Sequence, residues 1–150
     1  MEWHLAQFNV AKMKYPLDDA RMAGFVDRLE PVNRLADLSP GFVWRHQTDA
    51  GDSTAIRLYD DPGVIINYSV WESLEALKAF TYQLPEHKEL LRQRRDWFDP
   101  VASLPLIVMW WIPAGIIPTL EQARERQEHF QANGPTDKAF SFRTPFPSPT

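Results

Sequence analysis

Apolar and polar residues alternate along Trp3–Ala11, which predicts a first strand. One face carries Trp3, Leu5, Gln7 and Asn9, the other His4, Ala6, Phe8 and Val10. The period then changes. After the turn at Tyr15-Pro16-Leu17-Asp18-Asp19, with Asp18 or Asp19 as the cap, Met22, Phe25, Val26, Leu29, Val32, Leu35 and Ala36 recur at helical spacing. Pro31 is expected to kink or divide this helix, and Ser39-Pro40-Gly41 to end it. Phe42–Gln47 predicts a second strand, Asp49–Asp52 and Asp60–Gly63 predict turns, and Thr54–Tyr59 extends a hairpin between them. Val64–Trp71 is rich in β-branched and aromatic residues and predicts a third strand. Its faces are Val64, Ile66, Tyr68, Val70 and Ile65, Asn67, Ser69, Trp71.

Ser73 caps a helix with Leu74, Leu77, Phe80 and Thr81 inward; Pro85 breaks it, and a second helix runs from Glu86 to Phe98. Leu106–Ile112 is the last core strand. Thr119-Leu120-Glu121-Gln122 forms a capping box that opens a helix to Ala132, and Gly134-Pro135 stops it. Phe140–Arg143 adds a short edge strand, and the proline-rich Thr144–Thr150 reads as an extended tail. The order βαββαβ predicts an α+β, ferredoxin-like core over residues 1–113, with a C-terminal helix and tail over 114–150 packed on the same domain.

Such a sheet carries helices on one face only. The face predicted to lie open holds Leu5, Gln7 and Asn9, then Asn67, Ser69 and Trp71, then Ile107, Met109 and Trp111. Apolar residues with a few amides suit a ligand cavity or a subunit interface better than water. The alternative is that one strand's faces are swapped.

Composition narrows the chemistry. The 150 residues include six Trp, thirteen Pro and no Cys, so disulfides, thiolate nucleophiles and Cys-ligated metals are excluded. A reducing, cytoplasmic location is expected. The charge of −4 argues against nucleic acid or an anionic membrane as partner. The acidic start Met1-Glu2-Trp3-His4 is no signal peptide, and the uncharged run Leu104–Thr119, broken by Pro105, Pro113 and Pro118, is too short to span a membrane. Phosphate-loop, dinucleotide, serine-hydrolase and H-E-x-x-H motifs are absent.

Glu86–Phe98 is the most informative segment. His87, Leu90, Leu91, Arg94, Trp97 and Phe98 fall within about 120° of a helical wheel. A histidine and an arginine on an apolar stripe read as an acid/base or metal ligand and an anion-binding group. The alternative is structural: Arg94 pairs with an internal carboxylate or a strand-end carbonyl, and His87 is a satisfied boundary residue. Trp44, Trp71, Trp97 and Trp111 read as ligand walls or as core. Gln7, Asn9, Asn67 and Ser69, if inward, need partners that a ligand or water can supply. His4, His46 and His129 lack a neighbouring ligand set in sequence.

Several segments resemble an uncharacterised bacterial family of the dimeric α/β-barrel superfamily: Ser39-Pro40-Gly41-Phe42-Val43-Trp44-Arg45, Ser69-Val70-Trp71-Glu72-Ser73-Leu74-Glu75-Ala76-Leu77 and Trp110-Trp111-Ile112-Pro113-Ala114-Gly115. Gly134-Pro135-Thr136 and Ala139-Phe140-Ser141-Phe142 are similar too. More distantly, the strand-to-helix junction at Val70–Leu77 resembles antibiotic-biosynthesis and haem-degrading monooxygenases. The resemblance implies a homodimer with sheets packed face to face and a pocket between sheet and helices in each chain. Asn9 (or Gln7), Trp71 and His87 occupy places comparable to the pocket residues of the haem-degrading relatives. The histidine that often follows W-W-x-P-A-G in the uncharacterised family is Ile116 here.

The function expected is monooxygenase-like chemistry on a hydrophobic or aromatic small molecule, cofactor-free or with haem. His87, Arg94 and Asn9 are the candidate catalytic residues. Gln7, Trp44, Asn67, Ser69, Trp71, Trp97 and Trp111 are the candidate binding residues. No metal is expected unless His87 ligates haem. The alternatives are a non-catalytic binder or sensor, and a purely structural dimer.

Overall fold

The computed structural model describes residues 1–47, 63–99 and 107–149. The predicted turn Asp49–Asp52, the extension Thr54–Tyr59, most of the turn Asp60–Gly63 and the start of the last strand at Leu106 lie outside the described residues.

The elements are β1 (Trp3–Met13), a short 3-10 turn at Ala20–Met22, α1 (Ala23–Asp37), β2 (Phe42–Arg45), β3 (Val64–Trp71), α2 (Leu74–Lys78), a π turn at Ala79–Gln83, α3 (Pro85–Trp97), β4 (Phe98–Asp99), β5 (Val108–Pro113) and α4 (Leu120–Asn133). β1 is central. It pairs antiparallel with β3 on one side and with β5 and the two-residue β4 on the other, and β2 lies beyond β3. The order β2-β3-β1-β5 with two helical crossovers is the α+β ferredoxin-like arrangement.

Local chemistry accounts for most boundaries. The Asp19 carboxylate accepts from the Arg21 backbone N–H and opens the turn before α1. Pro31 neither ends nor divides α1, which runs through it as one helix. Its missing N–H removes one bond, while the stripe Phe25, Leu29, Val32, Ala36 faces the cavity described below, across which the sheet lies. The Ser73 hydroxyl accepts from the Ala76 N–H. Both bonds of the Thr119–Gln122 capping box form, at 2.9 and 3.1 Å. The expected strand at Phe140–Arg143 is reduced to a bridge, with Phe140 exchanging backbone bonds with Met109 on the outer edge of β5.

Parity groups the side chains as expected, and cross-strand register aligns them: Leu5 opposite Trp71, Gln7 opposite Ser69 and Asn9 opposite Asn67. The side is reversed. The face predicted to be open packs against α1–α3, where Leu5, Trp71, Met109 and Phe140 form a core with Ala36 and Leu77. The opposite face, with Ala6, Phe8, Val10, Ile66, Tyr68, Val70, Val108, Trp110 and Ile112, is covered from within the chain by Leu120, Ala123 and Phe130 of α4. The Tyr68 hydroxyl donates to the Thr119 carbonyl at 2.7 Å, tying β3 to the start of α4. α4 therefore lies where the resemblance places a partner's sheet. Among the described residues no helix is long and apolar enough to cross a membrane.

Candidate functional site

Between the sheet and α1–α3 lies a cavity of about 630 Å³. Gln7, Asn9, Asn67, Ser69, Trp71, His87, Arg94 and Trp97 all line it. Trp44 and Trp111 do not.

Trp44 is displaced by a β-bulge. Phe42 pairs with Trp71, but Trp44 pairs with Val70, so the register shifts between them. Alternation alone would put Phe42 and Trp44 on one face. The bulge inserts one residue and turns Trp44 to the α4 side, where it meets Tyr68 edge-on at 5.5 Å. Phe42 stays on the cavity side, edge-on to Trp71 at 5.4 Å. Trp111 keeps the expected face, but its indole N–H donates to the Phe146 carbonyl and the tail covers it.

The amides form one network. Gln7 Nε2 donates to Asn67 Oδ1 at 2.6 Å and to Ser69 Oγ at 2.7 Å. Ser69 Oγ also accepts from Trp71 Nε1 at 2.9 Å, and Asn9 Nδ2 donates to Gln7 Oε1 at 3.4 Å. Gln7, Ser69 and Trp71 are buried, Asn9 is half-buried and Asn67 is exposed towards the cavity. The buried members are satisfied by one another, as low-dielectric surroundings demand. Asn67 Nδ2 and Asn9 Oδ1, at the outer end, remain to meet a ligand.

His87 is oriented by a defect in the helix before it. In a continuous α-helix the Thr81 carbonyl would accept from the N–H of residue 85, which is proline and has none. The chain takes a π turn at Ala79–Gln83, and His87 Nδ1 bonds to the Thr81 carbonyl at 2.9 Å. A carbonyl only accepts, so Nδ1 carries the proton and Nε2 holds the lone pair. Burial pushes the His87 pKa down, against a smaller upward pull from the Thr81 carbonyl. The imidazole is therefore neutral near pH 7 and basic at Nε2. Its ring packs on Phe80 at 4.8 Å, and Phe80 stacks on Trp71 at 5.3 Å.

Arg94 is exposed and has neither the internal carboxylate nor the strand-end carbonyl suggested as its structural partner; among the described residues nothing engages it. The sequence reading missed Arg28 of α1. Its Nη1 donates to the Gly24 carbonyl at 2.7 Å, and its guanidinium lies 5.6 Å from the Trp97 ring centroid. The signal was present: Arg28 follows Phe25 by three and precedes Val32 by four, so it sits on an apolar stripe as Arg94 does. His46 also reaches the cavity edge, its pKa lowered by burial, stacked on Trp44 at 5.8 Å.

No curated protein matches this chain. Among solved structures, the protein of unknown function NE2512 from Nitrosomonas europaea superposes with a TM-score of 0.50 at 16% identity, over 78% of this chain and 96% of that one. Rv0793 from Mycobacterium tuberculosis superposes with a TM-score of 0.50 at 11% identity, over 77% and 99%. SnoaB, a cofactor-independent oxygenase from Streptomyces nogalater, gives 0.47 at 16% identity, over 78% and 96%. The first two likenesses, at these identities, concern the fold alone. Residues 4–150, nearly the whole chain and both its ferredoxin-like core and its C-terminal helix, match the profile described as Domain of unknown function (DUF3291), and the chain belongs to that family.

Proposed function

We propose that the cavity binds an enolisable or phenolic aromatic molecule and activates it by proton removal for reaction with O₂, without a cofactor. The observation that carries this reading is His87: a neutral imidazole with Nδ1–H engaged by the Thr81 carbonyl, leaving Nε2 as a base on an aromatic-walled cavity. Trp71, Phe80 and Phe42 form the walls. Asn67 Nδ2 supplies a donor for the oxyanion.

In this mechanism Nε2 takes a proton from an activated CH₂ or its enol, and the negative charge settles on the substrate oxygen. The carbanion carbon bonds to O₂, and the peroxide anion formed takes the proton back. Loss of the second C–H proton and cleavage of the O–O bond give a carbonyl and water. The balance is CH₂ + O₂ → C=O + H₂O.

The test uses purified protein and a panel of enolisable aromatic ketones such as 2-tetralone. Anaerobic deuterium exchange at the activated carbon, followed by NMR, should exceed the protein-free rate. Oxygen uptake should appear on admitting air, and His87→Gln should abolish both. Binding with neither exchange nor oxygen uptake, and His87→Gln changing affinity alone, would establish a binding protein instead.

A second reading rests on the same bond. An Nδ1–H held by a carbonyl is the arrangement that orients a metal-bound imidazole, so the residues fit a haem whose iron His87 Nε2 would hold and whose propionate Arg94 would meet. Haem would supply O₂ activation. Adding haemin should then give a Soret shift absent in His87→Ala; no shift, or one unchanged in that variant, rejects it.

A further inference from the structure

The chain carries a formal charge of −4, yet among the described residues the cavity is lined by charge of the opposite sign. The charged residues that line it there are Arg28, Arg45, Arg94, Arg95 and a single acid, Asp99. Arg45 is paired with Asp37 at 2.7 Å, outside the cavity lining. Of the α3 acids whose side chains are described, Glu89 engages Arg92 and Gln93, neither of which lines the cavity, and Asp96 does not line it either. Arg28, Arg94 and Arg95 are left lining the cavity without a carboxylate partner among the described residues, and of these Arg28 lies against Trp97 and Arg94 shares its helix face, by the contacts and helical spacing below.

The two guanidiniums are differently prepared. Arg28 is half-buried and held in place by the Gly24 carbonyl and the Trp97 ring, which leaves most of its five N–H donors unspent. Arg94 lies one turn before Trp97 on the same face of α3 and is exposed. Both guanidiniums line the same cavity, one from each of the two contacting helices α1 and α3. Inside them the wall is aromatic: Phe25, Trp97, Phe80 and Trp71. A planar cationic fork suits a carboxylate, which it meets with two parallel bonds.

We propose that the molecule taken by this cavity is an aromatic carboxylate, its ring system along the aromatic wall and its carboxylate clamped between Arg28 and Arg94. This rests on the cavity being the substrate pocket of the preceding section and adds the substrate's charge. Carboxylate binding by the two arginines and proton removal at His87 are then separate tasks of one site.

The test compares 2-naphthoate with the uncharged isostere 2-naphthamide by titration calorimetry. Naphthoate should bind at least about tenfold more tightly, and its affinity should fall as NaCl rises. Arg94→Gln should cost naphthoate about tenfold and leave naphthamide unchanged; Arg94 is exposed, so folding is not at stake. Arg28→Gln should act in the same direction, and Arg92→Gln, whose side chain pairs with Glu89 outside the cavity, should do nothing. Equal affinities for the two probes, unchanged by Arg94→Gln, would overturn the clamp while leaving an aromatic pocket. No binding of either probe would overturn it together with the pocket. Retained naphthoate preference with no proton exchange on any ketone would overturn the catalytic reading alone.

Discussion

Gly41→Ala tests how closely the wall of the cavity is built. Gly41 has φ +81°, and a Cβ placed there would stand 2.5 Å from Ala76 Cβ in α2. Its carbonyl accepts from the Glu72 N–H at 2.7 Å, which holds Phe42 against Trp71 where both line the cavity. Two costs add. A non-glycine residue at positive φ costs about 1–2 kcal/mol. Carbon atoms prefer about 3.5–4.0 Å, so the contact must be relieved by moving α2 or β2, an overpacking cost of about 1–3 kcal/mol. The sum is about 2–5 kcal/mol, a large part of the roughly 5–15 kcal/mol that domains possess. Gly115 provides the comparison: its φ is +90°, but nothing lies within 4 Å of an added Cβ. Gly115→Ala should show only the backbone cost of about 1–2 kcal/mol. Urea unfolding followed by tryptophan fluorescence measures both. Ala76→Gly removes the opposing methyl, at a helix cost of about 1 kcal/mol by itself. Combined with Gly41→Ala it should return the overpacking share, a coupling of about 1–3 kcal/mol in a double-mutant cycle. The reasoning is refuted if Gly41→Ala is no worse than Gly115→Ala, or if the double variant shows no coupling.

Two further outcomes follow from named contacts. Thr119→Ala removes the hydroxyl half of the capping box at the start of α4 and should cost about 1 kcal/mol in urea unfolding, with Gly115→Ala unaffected by its presence because the sites share no partner. His87 has its pKa lowered by burial, so below the ordinary histidine range the unfolded chain binds the proton that the folded chain resists. Its contribution is therefore complete above about pH 6.5 and is lost as pH falls below that; His87→Gln should flatten the decline in stability between neutral and mildly acidic pH, and an unchanged pH profile would remove His87 as its source.

Much of the fold is legible in local patterning because its determinants are local. The alternation in β1 and β3, the Ser73 cap and the Thr119–Gln122 box each involve residues a few positions apart, and they stand as expected. Pro31 shows the limit: proline disfavours a helix interior, but packing of the α1 stripe outweighs one lost bond. The candidate site was partly legible for the same reason. His87 and Arg94 stand out because a polar residue on an apolar stripe is a local anomaly, and Arg28 carried the same signal unread.

What sequence alone determined, then, is the grouping of residues: which side chains share a strand face, which share a helix stripe, and that thiol chemistry is absent. What only the tertiary structure decided is where each group looks. Alternation has no sign, so it could not say that the Gln7–Asn67–Ser69 face meets α1–α3 while Tyr68 and Trp110 lie under α4. A single inserted residue reverses parity, so only the bulge at Phe42–Trp44 sends one aromatic to the cavity and the other away from it. The presence of Arg28 and Arg94 in one cavity lining joins helices some sixty residues apart, and no local rule reaches that far.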